Sequence, residues 1–171
     1  MKSYTQVYTG DGKGKTTAML GLTLRATGAG LRVYIGQFLK GGDYSEIKAI
    51  KNCLPTVTVE QYGPKNLINR APTEQDKQAA LQGLEAAMQA ASSGNYDIVI
   101  LDEVNVTVFL ELLTTEDILA FIQKKPDNVE LILTGRYAKD EIIAAADLVS
   151  EITEVKHYYT AGVAARVGIE M

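Results

Sequence analysis

Residues 7–17 read Val7-Tyr8-Thr9-Gly10-Asp11-Gly12-Lys13-Gly14-Lys15-Thr16-Thr17, a β-prone run that enters a glycine-rich turn and leaves it through Lys-Thr-Thr into a helical pattern. Glycines let successive backbone amides converge on one point, and a helix N-terminus adds positive potential, so such a turn holds a polyphosphate. Lys15 is placed to meet phosphate oxygens, and the Thr16 hydroxyl is the motif's ligand for Mg²⁺. The strict motif has glycine where Thr9 stands, but the strand–turn–helix context is the required one. The loop indicates a triphosphate, not a reaction, because kinases, motors, membrane-positioning ATPases and other transferases share it.

A second carboxylate-bearing position follows the apolar run Ile98-Val99-Ile100-Leu101, which ends in Asp102-Glu103. This is where a carboxylate beside a phosphate loop holds a divalent ion. Successive strand residues face opposite sides, so both acids reach the ion only if the strand stops between them. Glu103 is the favoured nearer ligand and Asp102 the alternative. Lys40, in Gln37-Phe38-Leu39-Lys40-Gly41-Gly42, either adds charge to the anion site or belongs to a surface loop. Arg136, after Thr134-Gly135, either meets phosphate or substrate or makes a surface ion pair. Arg25 falls on the first helix, where arginine is usually solvated. His157, the single histidine, and Cys53, the single cysteine, stand apart from any metal or nucleophile cluster and read as structural or surface and as packing, respectively. Tyr158-Tyr159 read as packing or interface residues.

These residues need a scaffold, and the chain supplies one by alternation. Strands are expected at 6–9, 32–38, 56–62, 97–101, 130–134 and 150–155, with helices at 16–29, 73–93, 115–124 and 139–146. Pro72-Thr73 followed by Asp76 is a helix start of the capping-box kind, and Gly94 closes that helix. Such alternation implies an α/β fold with a mostly parallel six-stranded sheet and helices on both faces. Ligands then bind at the carboxyl ends of the strands. With 171 residues, 46% of them hydrophobic, the chain reads as one domain spanning 1–171 that closes a core without a disulfide or structural metal. Its apolar runs are far shorter than a membrane span needs, and its one cysteine and lack of a leader point to the cytoplasm. A formal charge of −4 without basic blocks argues against non-specific nucleic-acid binding.

Taken in order, the phosphate loop, Gln37-Phe38-Leu39-Lys40-Gly41, Leu101-Asp102-Glu103, Leu133-Thr134-Gly135-Arg136, Ala146-Asp147-Leu148-Val149-Ser150-Glu151, Val155-Lys156-His157, Ala161-Gly162-Val163 and Gly168-Ile169-Glu170 resemble the P-loop type of cob(I)alamin adenosyltransferase over nearly the whole chain. The resemblance implies transfer of the 5′-deoxyadenosyl group of ATP to the cobalt of a reduced corrinoid, with triphosphate released. It also implies a RecA-like sheet, Mg²⁺ dependence, a homodimer and a reducing partner such as a flavoprotein. On matching positions, Gly10, Asp11, Gly12, Lys13, Gly14, Lys15, Thr16 and Thr17 bind triphosphate, Thr16 and Glu103 hold the metal, and Arg25 lies beside the nucleotide. Lys15 and Glu103 are the residues expected to carry the reaction, with Lys40 and Arg136 as further nucleotide contacts. Some family members have an N-terminal helical extension, whereas the first strand here begins close to Met1. Others carry aromatic residues after the third strand, where this chain has Gly63-Pro64-Lys65-Asn66-Leu67-Ile68, leaving Tyr62, Leu67 and Ile68 as candidate corrinoid contacts.

Two other readings of the phosphate loop remain. A nucleotide-switched ATPase that recruits a partner often has an extra lysine near the loop's start, where Gly10 stands, and this chain has no basic amphipathic tail after residue 157. A small-molecule kinase needs an acceptor hydroxyl and usually a base near it.

Overall fold

The computed structural model describes residues 2–64 and 71–170. The candidate contacts Leu67 and Ile68 lie outside them. Strands β1 (Thr5–Thr9), β2 (Val33–Phe38), β3 (Val57–Tyr62), β4 (Ile98–Asp102), β5 (Glu130–Thr134) and β6 (Leu148–Glu151) form one sheet in the order β3-β2-β4-β5-β1-β6. Every pairing is parallel, where the sequence implied mostly parallel. Helices α1 (Lys15–Gly28), α2 (Ser45–Cys53), α3 (Glu74–Ser92), α4 (Val104–Phe109), α5 (Thr115–Lys124) and α6 (Asp140–Ala145) connect the strands, and a 3₁₀ turn occupies Tyr158–Ala161.

Helices cover both faces, which explains why the central strands are continuous apolar runs instead of alternating ones. Val99 and Leu101 of β4 pack with Leu131 and Leu133 of β5 against α3, α5 and α6 through Ala87, Phe121 and Ile142. Ile98 and Ile100 point the other way, joining Ile35 and Ile132 beneath Met19 and Ala26 of α1 and Ile50 of α2. Each such side chain, removed from water, contributes about 1.5–3 kcal/mol. The expected capping box at the start of α3 is present, with Thr73 Oγ1 accepting from Asp76 N–H and Asp76 accepting from Thr73 N–H, and Thr114 and Asp117 repeat it at α5.

Several expectations need correction. The last strand is Leu148–Glu151, earlier than 150–155, because the chain then turns across the phosphate loop: Ile152 N–H donates to Thr9 O at 2.8 Å and Ile152 O accepts from Gly12 N–H at 2.7 Å. Helices α2 and α4 were not expected. Cys53 ends α2 exposed to solvent instead of packed. Of the packing-or-interface reading for Tyr158 and Tyr159, only core packing is corrected, since they are 38% and 74% exposed. Among the described residues no helix is long and apolar enough to cross a membrane.

Candidate active site

Because all six strands run the same way, their carboxyl ends share one edge, where Thr9, Phe38, Asp102 and Thr134 stand together. A cleft of about 530 Å³ opens along that edge, lined by Gly12 through Thr17, Lys40, Glu103 and Arg136. The segment after β6 forms its other wall through His157, Gly168, Ile169 and Glu170.

The phosphate loop is built by close approach. Gly10 has φ +94°, and a Cβ there would stand 2.5 Å from Ile152 O; at Gly12 it would stand 2.8 Å from Ile152 O and Thr153 O. Gly14, at φ 135°, precedes α1 without a side-chain cap and the first turn holds no acid, so the helix's leading amides keep their capacity for an anion. Lys15 is buried and folded back on its own loop, donating to Gly10 O at 2.7 Å and Gly12 O at 2.8 Å. Burial pulls its ammonium below the usual lysine value, an effect that Glu103 opposes. Thr9 ends β1, where no positive φ is needed, and its hydroxyl accepts from Ala138 N–H at 3.3 Å. The departure from the strict motif thus ties the phosphate loop to the Arg136 loop.

Beside Lys15 lies a buried polar knot centred on Asp102, which is fully enclosed. Its Oδ1 accepts from Thr134 Oγ1 at 2.7 Å and from Thr16 Oγ1 at 3.0 Å; its Oδ2 accepts from Lys40 Nζ at 2.8 Å and Gln37 Nε2 at 3.3 Å. Lys40 Nζ also donates to Thr16 Oγ1 at 3.2 Å. Burial pulls the Lys40 ammonium down, but Asp102 and Glu103 more than offset this and hold it above its usual value.

The strand does stop between the two acids. Glu103 adopts a left-handed conformation at φ 64° while its N–H donates to Thr134 Oγ1 at 3.0 Å, so its side chain turns into the cleft instead of across the sheet. Burial, with the neighbouring Asp102 charge, raises the Glu103 pKa against the pull of Lys40, Lys15 and Arg136. Asp102 is thus saturated with donors, whereas Glu103 faces the open cleft.

The sequence-selected residues do not all meet. Lys13 reaches the cleft and donates to Ile169 O at 3.3 Å, whereas Asp11 stays exposed outside its lining. Arg25 lines a hollow separate from the cleft, with Gln6, Tyr8, Leu22 and Ser150. Tyr62 is held in a cluster, its hydroxyl donating to Glu60 at 2.5 Å and lying 2.9 Å from Tyr34 Oη; burial, with the Glu60 carboxylate, pushes its pKa up to about 12. His157 was expected to be structural, and its Nδ1 does accept from Tyr159 N–H at 3.0 Å, yet it also lines the cleft. The tail was missed altogether as a wall of the site. Its Glu170 is clasped by Arg166 and Tyr158, which hold the carboxyl at about 2. The repeated glycines at 162 and 168, both at positive φ, were the available signal of a built segment.

The family model for ATP:corrinoid adenosyltransferases of the BtuR/CobO/CobP type matches residues 1–171. An uncharacterised protein of Nostoc sp. is 40% identical across 96% of this chain, which spans about half (47%) of that protein's length. Corrinoid adenosyltransferases of Escherichia coli K12 and Pseudomonas aeruginosa are 34% and 32% identical across 96% of the chain and 83% and 81% of their own lengths. The family model covers residues 1–171 and these relatives cover 96% of a chain whose parallel sheet gathers a glycine-rich loop, a buried acid–lysine pair and a cleft-facing glutamate at one edge, so the chain belongs to the ATP:corrinoid adenosyltransferase family.

Proposed function

We propose that this chain transfers the 5′-deoxyadenosyl group of ATP to the cobalt of a reduced corrinoid within the cleft described above. The observation that carries this reading is the grouping of Lys15, Lys40 and Arg136 around the uncapped start of α1, in a cleft roomy enough for a nucleotide. Cobalt(I) is itself the nucleophile. As the Co–C5′ bond forms, the C5′–O bond breaks and its electron pair leaves with inorganic triphosphate, so no side chain has to remove a proton. The protein's work is alignment of C5′ and stabilisation of a highly charged leaving group. Amides of Gly10 to Thr17 hold the triphosphate; Lys15, released from its own loop carbonyls, turns to the phosphate oxygens; Lys13, Lys40 and Arg136 add charge. Leu20, Tyr44 and the tail offer a wall for the nucleoside.

A divalent ion fits the residues beside the loop. The Thr16 hydroxyl and the carboxylates of Asp102 and Glu103 are hard oxygen donors. A cationic group, the Lys40 ammonium, already stands between Thr16 and Asp102. Among the described residues no three or more His, Cys, Asp or Glu gather as a metal-holding cluster. Thr16 and Glu103 are the proposed ligands, with Asp102 orienting the Thr16 hydroxyl. Mg²⁺ supplies neutralisation of the triphosphate's charge when bound.

The reading extends to a cytoplasmic homodimer served by a flavoprotein reductant, on the strength of the family resemblance. Among the described residues β6 is an outer strand of the sheet, and with Leu148 45% and Val149 41% exposed it offers a face for a second copy. Purified protein given ATP, Mg²⁺ and chemically reduced cobalamin in the dark should yield a light-sensitive alkylcobalt product. A corrinoid left unchanged while ATP becomes ADP and phosphate contradicts the proposal and favours a nucleotide switch or a kinase.

A further inference from the structure

The proposed metal position is shared with an ammonium group. Lys40 Nζ lies 2.8 Å from Asp102 Oδ2 and 3.2 Å from Thr16 Oγ1. The Thr16 hydroxyl gives its proton to Asp102 at 3.0 Å, and one of its lone pairs accepts from Lys40. A hydroxyl has two lone pairs in all, so the ammonium competes for the electrons a metal ligand must donate. It is also a positive charge set against the ion's intended ligands, in a place too enclosed for water to screen it well. Asp102 is completely buried and Lys40 keeps only 16% side-chain exposure, so this is an internal pair, not a surface contact.

We propose that Lys40 is a built-in stand-in for the divalent cation: its ammonium holds Thr16 and Asp102 in register while the site lacks metal, and it must leave Thr16 for the ion to bind. The arrangement solves a specific problem. Two adjacent carboxylates gathered for a cation repel each other when the cation is absent, and a tethered ammonium relieves that repulsion without a diffusible ion. Lys40 sits between β2 and α2, and the same connection carries Tyr44, which with Ser45 and Glu46 lines the cleft. An ammonium displaced from Thr16 therefore swings on its flexible stem within the cleft that these residues line. Once displaced, the ammonium is free to turn to the triphosphate. Lys40 is thus a positioning residue for the metal.

This inference rests on the reading that the site takes a divalent ion, and its test is separate from catalysis. Mn²⁺ binding to the nucleotide-free protein, counted by electron paramagnetic resonance of free Mn²⁺, should tighten by roughly tenfold or more in Lys40→Met, because a like charge has been removed from the ligand set. Equal or weaker affinity in a Lys40→Met protein that melts cooperatively overturns the stand-in role, as does an absence of nucleotide-independent Mn²⁺ binding in both proteins. Wild-type protein gives a second readout that does not depend on folding of the variant. Reductive methylation of Lys40, read by mass spectrometry, should rise as Mn²⁺ is titrated without nucleotide, and labelling unchanged across the titration counts against displacement. A wild-type enzyme that transfers adenosyl groups equally well without any divalent ion would instead remove the metal reading itself.

Discussion

Replacing Asp102 by Asn tests whether the buried knot is organised by charge. Asn keeps the shape and one acceptor oxygen, which can still face Lys40, while its amide group can donate to Thr16 and Thr134, whose hydroxyls accept. What disappears is the negative charge opposite an ammonium with 16% side-chain exposure. Breaking a buried pair by removing one partner costs about 3–5 kcal/mol. The retained hydrogen bonds put this substitution near the lower figure, about 3 kcal/mol. For a chain of 171 residues that corresponds to a fall in melting temperature of roughly 6–12 °C. Differential scanning calorimetry of Asp102→Asn, Lys40→Met and the double variant separates charge from packing. If the unpaired ammonium causes the loss, the double variant is more stable than the sum of the single effects requires, with a coupling on the order of 1–3 kcal/mol. Additive losses, or an Asp102→Asn protein that melts within a degree of the wild type, refute the electrostatic reasoning.

Glu103 should behave in the opposite sense. Its folded-state pKa is raised, so the stability linked to its protonated form is present below the unfolded value near 4.5 and is lost as pH rises through the folded value. Glu103→Gln is therefore expected to be at least as stable as wild type at neutral pH, with the difference closing in acid, and chemical denaturation at several pH values reads it. In turnover the same variant should show a sharply raised Mg²⁺ requirement; a larger defect in Asp102→Asn would exchange the two proposed roles, and flat responses in both would remove the carboxylates from metal binding. Lys15→Ala is expected to weaken use of ATP by about 2–4 kcal/mol in kcat/KM with little change in melting, because its bonds go to two loop carbonyls and not to the core. Gly12→Ala should damage the loop itself, since a Cβ would stand 2.8 Å from Ile152 O, and both ATP affinity and melting temperature should fall.

How far the sequence disclosed this architecture varied with the range of the interactions involved. The phosphate loop and the apolar run into Asp102 were legible because their chemistry is local, set by glycines, a helix start and a strand end within a few residues. Helix α4 was hidden because Val104–Phe109 reads Val-Asn-Val-Thr-Val-Phe, a β-prone string that burial of Val104 and Val108 turns into a helical turn. Helix α2 lacks a side-chain cap and spans nine residues, which leaves little periodic signal. The Asp102 knot joins residues 32, 62 and 86 positions away, and no spacing along the chain encodes which of them meet. The tail wall was invisible for the same reason: its position depends on the turn of Ile152 across Gly12.

The bond that ATP loses is the most direct check on the proposed chemistry. ATP carrying ¹⁸O at the oxygen that bridges C5′ and the first phosphorus, incubated with the protein, Mg²⁺ and reduced cobalamin in the dark, should give triphosphate with all three phosphorus atoms joined and the heavy oxygen retained, in equal amount to the alkylcobalt product. Recovery of the label in ADP, with phosphate as the partner product and no carbon–cobalt bond formed, would mean that the cleft breaks a phosphorus–oxygen bond and that the adenosyl-transfer assignment is wrong.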